Sequence, residues 1–145
     1  MMRHTAGALS VLFVLACAGA PNAPREASGP RQHVEIQFGD MGIRPQTATL
    51  RQGGKAVWIN TSTEYQGSVV FPEGIKASFT CDELRPVFSK TGAGYQSIPI
   101  SADVETVALP CPLKPGSYDY QLYLFDDMSG MADPLRTLQG KIVVE

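Results

Sequence analysis

The side chains that could carry metal or redox chemistry are few and widely spaced. The chain holds three cysteines and two histidines. The densest group of possible ligands is the stretch F-D-D-M-S-G-M-A-D-P, residues 125–134. Its candidate ligands are the carboxylates of Asp126, Asp127 and Asp133 and the thioethers of Met128 and Met131. Carboxylates suit calcium and thioethers suit cuprous ion. Because the D-x-D-x-D-G spacing of calcium loops is absent, a solvated loop whose methionines cover apolar surface explains the stretch equally well.

Catalysis and nucleic-acid binding find little support in the sequence. No histidine lies near a plausible nucleophile, and neither a G-x-S-x-G motif nor a phosphate-binding glycine loop is present. The only histidine beyond the first few residues is His33, whose position suggests a surface residue or, as an alternative, a lone metal ligand. The formal net charge is −2, without a basic cluster. We therefore expect a protein that is not an enzyme, needs no cofactor and binds no nucleic acid.

The first 17 residues indicate an export signal. Residues 6–16 form an apolar run that is too short to span a bilayer but suits the core of a signal peptide. The run ends V-L-A-C, which resembles the bacterial lipobox, and this predicts lipidation of Cys17. The alternative is ordinary cleavage after Ala18 or Ala20, with Cys17 discarded.

Residues 18–31 predict a flexible tether. They are rich in proline, alanine and glycine and have no apolar periodicity, so they cannot bury enough surface to fold. A tether directly after a lipidated cysteine would hold a folded domain away from the membrane. Since Ala18 is not the aspartate typical of inner-membrane retention, we expect the outer membrane of a bacterial envelope, facing the periplasm.

The remaining residues, 32–145, suffice for one domain with a real core. Cys81 and Cys111 fall within it, and in an oxidising compartment they predict a disulfide. A loop of this span would stabilise the fold by roughly 3–4 kcal/mol in the chain-entropy description. A redox or metal-binding pair is the alternative, although the close C-x-x-C spacing is missing.

Periodicity predicts an all-β domain. Val34, Ile36 and Phe38 alternate with polar residues, as in a half-buried strand. Further strands are predicted at 47–51, 55–60, 68–71, 95–100, 104–109, 117–125 and 138–144, with a glycine turn at 52–54. About eight short strands predict a Greek-key β-sandwich. Residues 72–94 predict an irregular crossover with a short helix near 78–84.

Three stretches carry a resemblance to the cupredoxins, small blue-copper sandwiches. W-I-N (58–60) is similar to the family's W-x-N, G-S-V-V-F (67–71) to H-x-V-x-F, and G-S-Y-D-Y-Q-L (116–122) to G-x-Y-x-Y-x-C. The resemblance implies a cupredoxin-like sandwich, with Trp58 as a core aromatic and Asn60 forming a turn. The P-G-x-Y element also occurs in immunoglobulin-like and transthyretin-like sandwiches, so that interpretation stays open.

The same resemblance implies that the copper ligands are missing. A type 1 site needs two imidazoles and a thiolate, with a weak axial ligand such as methionine. Gly67 stands at the position of the first histidine, Leu122 at the cysteine and Phe125 at the second histidine. Met128 or Met131 could occupy only the weak axial position. The resemblance therefore favours the fold and argues against type 1 copper.

We conclude that the sequence predicts a lipid-anchored binding or accessory module that contacts another envelope protein. The predicted contact face comprises Tyr65, Phe71, Asp126, Asp127, Met128, Met131 and Asp133. One alternative is a copper- or calcium-handling protein that uses His33, Met41, Met128, Met131 and nearby carboxylates. A second is an immunoglobulin-like module that binds a ligand or glycan through an aromatic row at Tyr118, Tyr120 and Tyr123.

Overall fold

The computed structural model describes residues 29–102, 105–126 and 133–145, which form nine β-strands and one 3-10 helix. The strands are β1 (Arg31–Gly39), β2 (Gly42–Arg44), β3 (Thr47–Asn60), β4 (Gln66–Phe71), β5 (Phe88–Thr91), β6 (Gly94–Ser97), β7 (Thr106–Ala108), β8 (Gly116–Phe125) and β9 (Arg136–Val144). The 3-10 helix spans Glu73–Ser78 and lies between β4 and β5. The predicted signal, tether and lipidated Cys17 lie almost wholly outside the described residues.

The strands form a sandwich because β3 takes part in two layers. They hydrogen-bond in the order β2-β1-β3-β9-β8-β4-β6-β5, with β7 also on β3. The first residues of β3 pair with β9, Thr47 opposite Lys141, and its last residues pair with β1, Trp58 opposite Ile36. Trp58 meets Tyr120 of β8 edge-on, with ring centroids 5.4 Å apart. Since β8 is not a sheet neighbour of this part of β3, the two layers enclose one core, which confirms the predicted all-β sandwich.

Alternating burial follows the predicted periodicity. Val34, Ile36 and Phe38 of β1 are buried, while the residues between them are exposed. In β8 and β9 the inward-facing residues are buried in the same alternating way. One apolar face per strand fixes its register, because a slip by one residue would expose the whole apolar set.

The predicted turn at 52–54 lies inside β3. Pairing with β1 continues on both sides of it, with a register shift between Arg31 and His33 that falls at the two glycines. Gly53 has φ +81°, and a Cβ on Gly54 would lie 2.8 Å from the carbonyl oxygen of Arg51. Glycine supplies both the positive φ and the close approach, so the predicted turn is a bend within a longer strand.

The crossover was predicted correctly in place but not in detail. The helix predicted near 78–84 is instead the 3-10 helix Glu73–Ser78, which starts directly after Pro72. Phe79 itself is extended and forms a β-bridge with Leu113, and the bends and turn that follow lead to β5. Thr80 N–H donates to Pro112 O and Lys114 N–H to Ser78 O, so backbone hydrogen bonds hold the segment to the loop before β8.

Four short strands differ from the prediction. β2 and β5 were not predicted, and β6 and β7 are shorter than expected. β6 ends before Pro99, which cannot donate to a ladder. Ile100 then bonds to Gly67 of β4 instead, N–H to O in both directions.

Cys81 and Cys111 form a disulfide across 30 positions of sequence, as predicted. It joins the crossover to the same loop that the hydrogen bonds of Thr80 and Lys114 hold. In the part of the chain described, no helix is both long and apolar enough to cross a membrane.

Candidate functional site

The predicted site lies at one end of the sandwich, which we call the tip end. Here the β1–β2 turn (39–42), the loop 61–65, the end of β8 and residues 133–136 lie side by side. Arg136 Nη1 donates to the carbonyl oxygen of Asp40 over 3.1 Å, and Leu135 N–H donates to Leu124 O over 2.9 Å. Gln66, next to the loop, pairs with Phe125 at the end of β8. Four separate segments are thus fixed to one another at this end.

Asn60 organises the loop of the tip end. Its side chain is fully buried, and its amide nitrogen donates to Tyr65 O at 2.8 Å and to Ile100 O at 3.0 Å. Its side-chain oxygen accepts from Ser62 N–H at 3.0 Å. Every polar group of the buried amide is therefore used to hold backbone, which gives the turn-forming role of this asparagine a physical basis.

Ser62 extends this hydrogen-bond network. The sequence shows only that a serine lies in a turn here, which does not predict such a role. Its hydroxyl donates to Asp40 Oδ1 at 3.0 Å and accepts from the N–H groups of Glu64 and Tyr65. Ser62 is buried, whereas Asp40 is exposed. The serine therefore connects the loop to the β1–β2 turn and fixes the backbone of the tip end.

Gly67 has no room for a side chain. A Cβ at this position would lie 2.3 Å from Phe38 Cε2 and 2.6 Å from Phe38 Cζ. Phe38 is 1% exposed and belongs to the core. The phenyl ring thus fills the space into which a side chain at position 67 would extend, and an imidazole would have to displace it.

The other two positions of the implied copper site are equally apolar. Leu122 is completely buried in the core and pairs with Val69. Phe125 is 2% exposed, and its ring centroid lies 6.4 Å from that of Tyr123. β8 does not end at position 122 but continues to Phe125, which pairs with Gln66 at the start of β4. All three positions lie on the neighbouring strands β4 and β8, but Leu122 faces the core while Phe125 shares the other face of β8 with Tyr123. A glycine, a leucine and a phenylalanine in this arrangement do not fit a copper ion.

The predicted contact face is only partly exposed. Placing Phe71 there was wrong: it is fully buried, with Trp58, Phe79, Phe88 and Tyr120 around its ring. Tyr65 is half-buried and packs against the core. Asp126 and Asp133 are exposed. Asp127, Met128 and Met131 lie outside the described residues.

Two apolar side chains are exposed at the tip end, and the sequence placed neither on the contact face, since Met41 was expected only as a possible metal ligand and Leu135 was not predicted at all. Met41 of the β1–β2 turn is 86% exposed and Leu135, next to Arg136, is 56% exposed. Both stand among exposed carboxylates, those of Asp40, Glu64, Asp126 and Asp133. The arrangement offers apolar contacts inside an acidic rim, a pattern suited to a macromolecular contact.

His33 is not at the tip end. It lies six positions before the end of β1, roughly 20 Å away along the strand. Its closest ionic contact is Glu35, 4.0 Å from its Nε2 atom, and both side chains are more than half exposed. Within the described ranges, no three His, Cys, Asp or Glu side chains are grouped so that they could hold a metal. His33 and Met41 therefore cannot share one ion.

Buried and exposed ionisable groups are perturbed for different reasons. Burial raises the pKa of Tyr120 to about 12, and a weak contact from the Trp58 indole opposes the shift. Among the described residues, neither the Tyr120 hydroxyl nor Trp58 Nε1 makes a hydrogen bond of good geometry. On the surface, the ion pair with Lys90 lowers the pKa of Glu73, and the N–H and side chain of Ser101 lower that of Glu105.

The aromatic row expected of a glycan-binding face is not exposed. Tyr120 is 2% exposed, and its ring lies over Gly140 of the adjacent strand. Tyr118 and Tyr123 are half-buried, and the Tyr118 hydroxyl donates to Lys114 O. Burial of the middle member counts against the glycan-binding alternative.

Comparison with known proteins identifies the fold. No protein-family model and no curated protein matches the sequence. Solved structures of amicyanin, a cupredoxin, are similar to it. The structure of a reduced tryptophan-to-tyrosine mutant of amicyanin is 17% identical to this chain, with a TM-score of 0.51. That of an oxidised proline-to-alanine mutant is 18% identical, also with a TM-score of 0.51. Each alignment covers 82% of this chain and 88% of the amicyanin chain. Amicyanin from Paracoccus versutus (Thiobacillus versutus) is 21% identical with a TM-score of 0.49, over 82% of this chain and 87% of that chain.

At these identities the likeness concerns the fold alone. It agrees with the all-β architecture of this chain. The chain carries a cupredoxin-like domain.

Proposed function

We propose that this protein is a lipid-anchored, non-catalytic module of a bacterial cell envelope that acts through protein contacts and uses no type 1 copper. The observation that carries the proposal is the packing at the implied copper positions. Phe38 fills the space next to Gly67, and Leu122 and Phe125 are buried apolar side chains. Three strong ligands would have to enter a closed core before copper could bind.

The tip end is the contact face that this proposal favours. It combines the exposed Met41 and Leu135 with the carboxylates of Asp126, Asp133 and Glu64. Its backbone is fixed by the hydrogen bonds of Asn60 and Ser62, so little conformational freedom would be lost on binding. The acidic rim favours a partner with a basic surface, and the contact would weaken as salt screens the charges.

In-cell photo-crosslinking tests the contact. A photoreactive amino acid would replace Asp126 or Asp133 in the full chain, and Ser117, exposed at the opposite end of β8, would serve as the control position. We expect the tip-end positions, but not position 117, to crosslink to one envelope protein. Equal crosslinking from all three positions, or none from the tip end, would refute the proposed face.

The anchor rests on the sequence alone and has its own test. Cys17 would be lipidated, and residues 18–31 would tether the domain to the outer membrane on its periplasmic side. Metabolic labelling with an alkyne fatty acid should mark the wild-type chain and not the Cys17→Ser variant. An unlabelled wild-type chain whose mature N-terminus follows Ala18 or Ala20 would instead indicate ordinary signal cleavage.

A metal-handling role remains as a second proposal because Met41 is so strongly exposed at the tip end. Thioether groups bind cuprous ion, and Met128 and Met131 follow Asp126 in the sequence. If the tip end binds a metal, cuprous ion or calcium should raise the melting temperature by mass action. An unchanged melting temperature with millimolar calcium and with cuprous ion under reducing conditions excludes this role.

A further inference from the structure

A groove separates the two layers on the side of the sandwich where the chain changes layers. Arg44 of β2 pairs with Gln37 of β1, and Leu50 of β3 lies opposite Arg31 at the start of β1. Between these two points the chain leaves β1 and pairs with β9 instead, Thr47 opposite Lys141. The gap that opens has a volume of about 720 Å³. This is within the range of ligand-binding clefts.

One wall of the groove is an open strand edge of β1. The carbonyl oxygen of Phe38 accepts from Thr61 N–H on the side of β3. Because the hydrogen-bonding direction alternates along a strand, Val34 and Ile36 also bond toward β3, whereas His33 and Glu35 direct N–H and C=O into the groove. Among the residues that the structure describes, no strand pairs with β1 here, since β2 covers only the last three residues of β1.

The opposite wall is an open edge of β3. The carbonyl oxygens of Gln46 and Leu50 accept from Lys141 N–H and Glu145 N–H on the side of β9. By the same alternation, Thr47 and Thr49 direct their N–H and C=O groups away from β9 and into the groove. Two backbone edges therefore face the same gap, each with donors and acceptors spaced two residues apart.

The side chains of the groove indicate what would bind there. Val34, Ile43 and Ala48 give it an apolar floor, which is enclosed between the layers. His33 and Arg44 stand at its rim with Arg31, and Glu35 is the only carboxylate among the lining residues. The charges of the rim thus favour a ligand with negative charge, and the open backbone edges of the walls favour a peptide in an extended conformation.

We propose that this groove binds an extended peptide segment with carboxylate side chains, which adds as a strand between β1 and the first part of β3. The bound segment would hydrogen-bond to His33 and Glu35 on one wall and to Thr47 and Thr49 on the other. Both ends of the groove are closed, by the Gln37–Arg44 and Arg31–Leu50 contacts, so it accepts a segment of roughly five residues. Closed ends also prevent the continued edge-to-edge pairing that makes open edges prone to aggregation. This site is independent of the tip end.

The probe for the test is a blocked tetrapeptide of alternating valine and glutamate, which with its two blocking groups matches the length of the groove, added to the isotope-labelled chain of residues 18–145. We expect chemical-shift changes and slower hydrogen exchange at the amides of His33, Glu35, Thr47 and Thr49. The amides of Val34 and Ile36 already bond within the sheet, so their exchange should not change. The same peptide with lysine in place of glutamate should bind more weakly, and methylation of every second peptide nitrogen should abolish binding.

Two variants separate the charge of the groove from its fold. Arg44→Glu should weaken binding of the acidic peptide by roughly two- to fivefold, the size of one exposed ion pair, and should improve binding of the lysine peptide. Arg85→Glu is the matched control, since Arg85 is an exposed arginine outside the groove, and it should change neither affinity.

Three results would overturn the proposal. The first is the absence of shifts at millimolar peptide, and the second is unchanged binding of the methylated peptide. The third is protection of the His33 and Glu35 amides without peptide. If that protection rises with protein concentration, a second copy occupies the groove; if it disappears in a chain that starts at Gly29, the residues before Gly29 occupy it.

Discussion

Replacement of Gly67 by alanine tests whether the core has closed over the implied copper position. The new Cβ would lie 2.3, 2.6 and 3.5 Å from three atoms of the Phe38 ring. Carbon atoms pack best at about 3.5–4.0 Å, so the ring would have to move by more than about 1 Å. Phe38 is 1% exposed and cannot swing into solvent.

The expected cost follows from this overlap. Forcing an extra methyl group into a packed core costs about 1–3 kcal/mol. A Gly→Ala replacement also reduces the conformational freedom of the unfolded chain, which stabilises the folded protein by about 0.4–1 kcal/mol where the backbone conformation suits alanine. Gly67 meets this condition because its φ is not positive. We therefore expect Gly67→Ala to lower the free energy of unfolding by about 1–2 kcal/mol, which lowers the melting temperature of a domain of this size by several degrees.

Urea unfolding followed by tryptophan fluorescence measures this change directly. Trp58 is the only tryptophan of the chain and is completely buried, so its emission reports loss of the core. Gly74→Ala is the control, because a Cβ at Gly74 would meet no atom within 4 Å and Gly74 has no positive φ, so this variant should be equal to the wild type or more stable by up to about 1 kcal/mol. A double-mutant cycle with Phe38→Leu should show a favourable coupling of about 0.5–3 kcal/mol. If Gly67→Ala were as stable as the wild type, or the coupling were zero, Phe38 would not fill the position as described.

Three further predictions concern the core, the disulfide and the tip-end loop. Tyr120→Phe should be at least as stable as the wild type at pH 7, because it removes a buried hydroxyl that lacks a good hydrogen bond. Burial raises the pKa of Tyr120 to about 12, whereas the tyrosine of the unfolded chain ionises near pH 10, so stability that is fully present below pH 10 should fall by about 2–3 kcal/mol as pH rises from 10 to about 12. Tyr120→Phe should escape this loss, and alkaline unfolding curves that are identical for both proteins would contradict it. The double variant Cys81→Ala, Cys111→Ala should keep the fold, because backbone hydrogen bonds still hold the crossover, but lose about 3–4 kcal/mol by denaturant unfolding. Asn60→Ala removes the three hydrogen bonds of a buried amide and should cost about 2–4 kcal/mol; a cost below about 1 kcal/mol would mean that the amide does not organise the loop.

The strand pattern could be predicted because it depends on local alternation. β1 and β8 each bury one face, and their apolar residues recur at every second position, which makes such strands visible in the sequence. The disulfide was predictable for a different reason, since two cysteines in a domain that is expected to be exported most often pair with each other. Asn60 was placed correctly through its resemblance to a turn-forming residue of the cupredoxins.

The errors arose where distant segments decide the outcome. Nothing near Gly67 in the sequence shows that Phe38 of another strand fills its side-chain space. Phe71 was expected at the contact face, but four aromatic rings from other elements surround it. The edge groove depends on the change of layer between Arg44 and Leu50, and a short strand such as β2 carries no periodicity that would reveal this.

The copper content of the purified domain decides whether the implied metal site is lost. The chain of residues 18–145 would be incubated with cupric and cuprous salts, freed of unbound metal, and analysed for copper and for visible absorption. We predict far less than one copper per chain and no intense visible band, because Gly67, Leu122 and Phe125 supply no ligand and lie in a closed core. One copper per chain with intense visible absorption would show that the site is intact and that the proposed function is wrong.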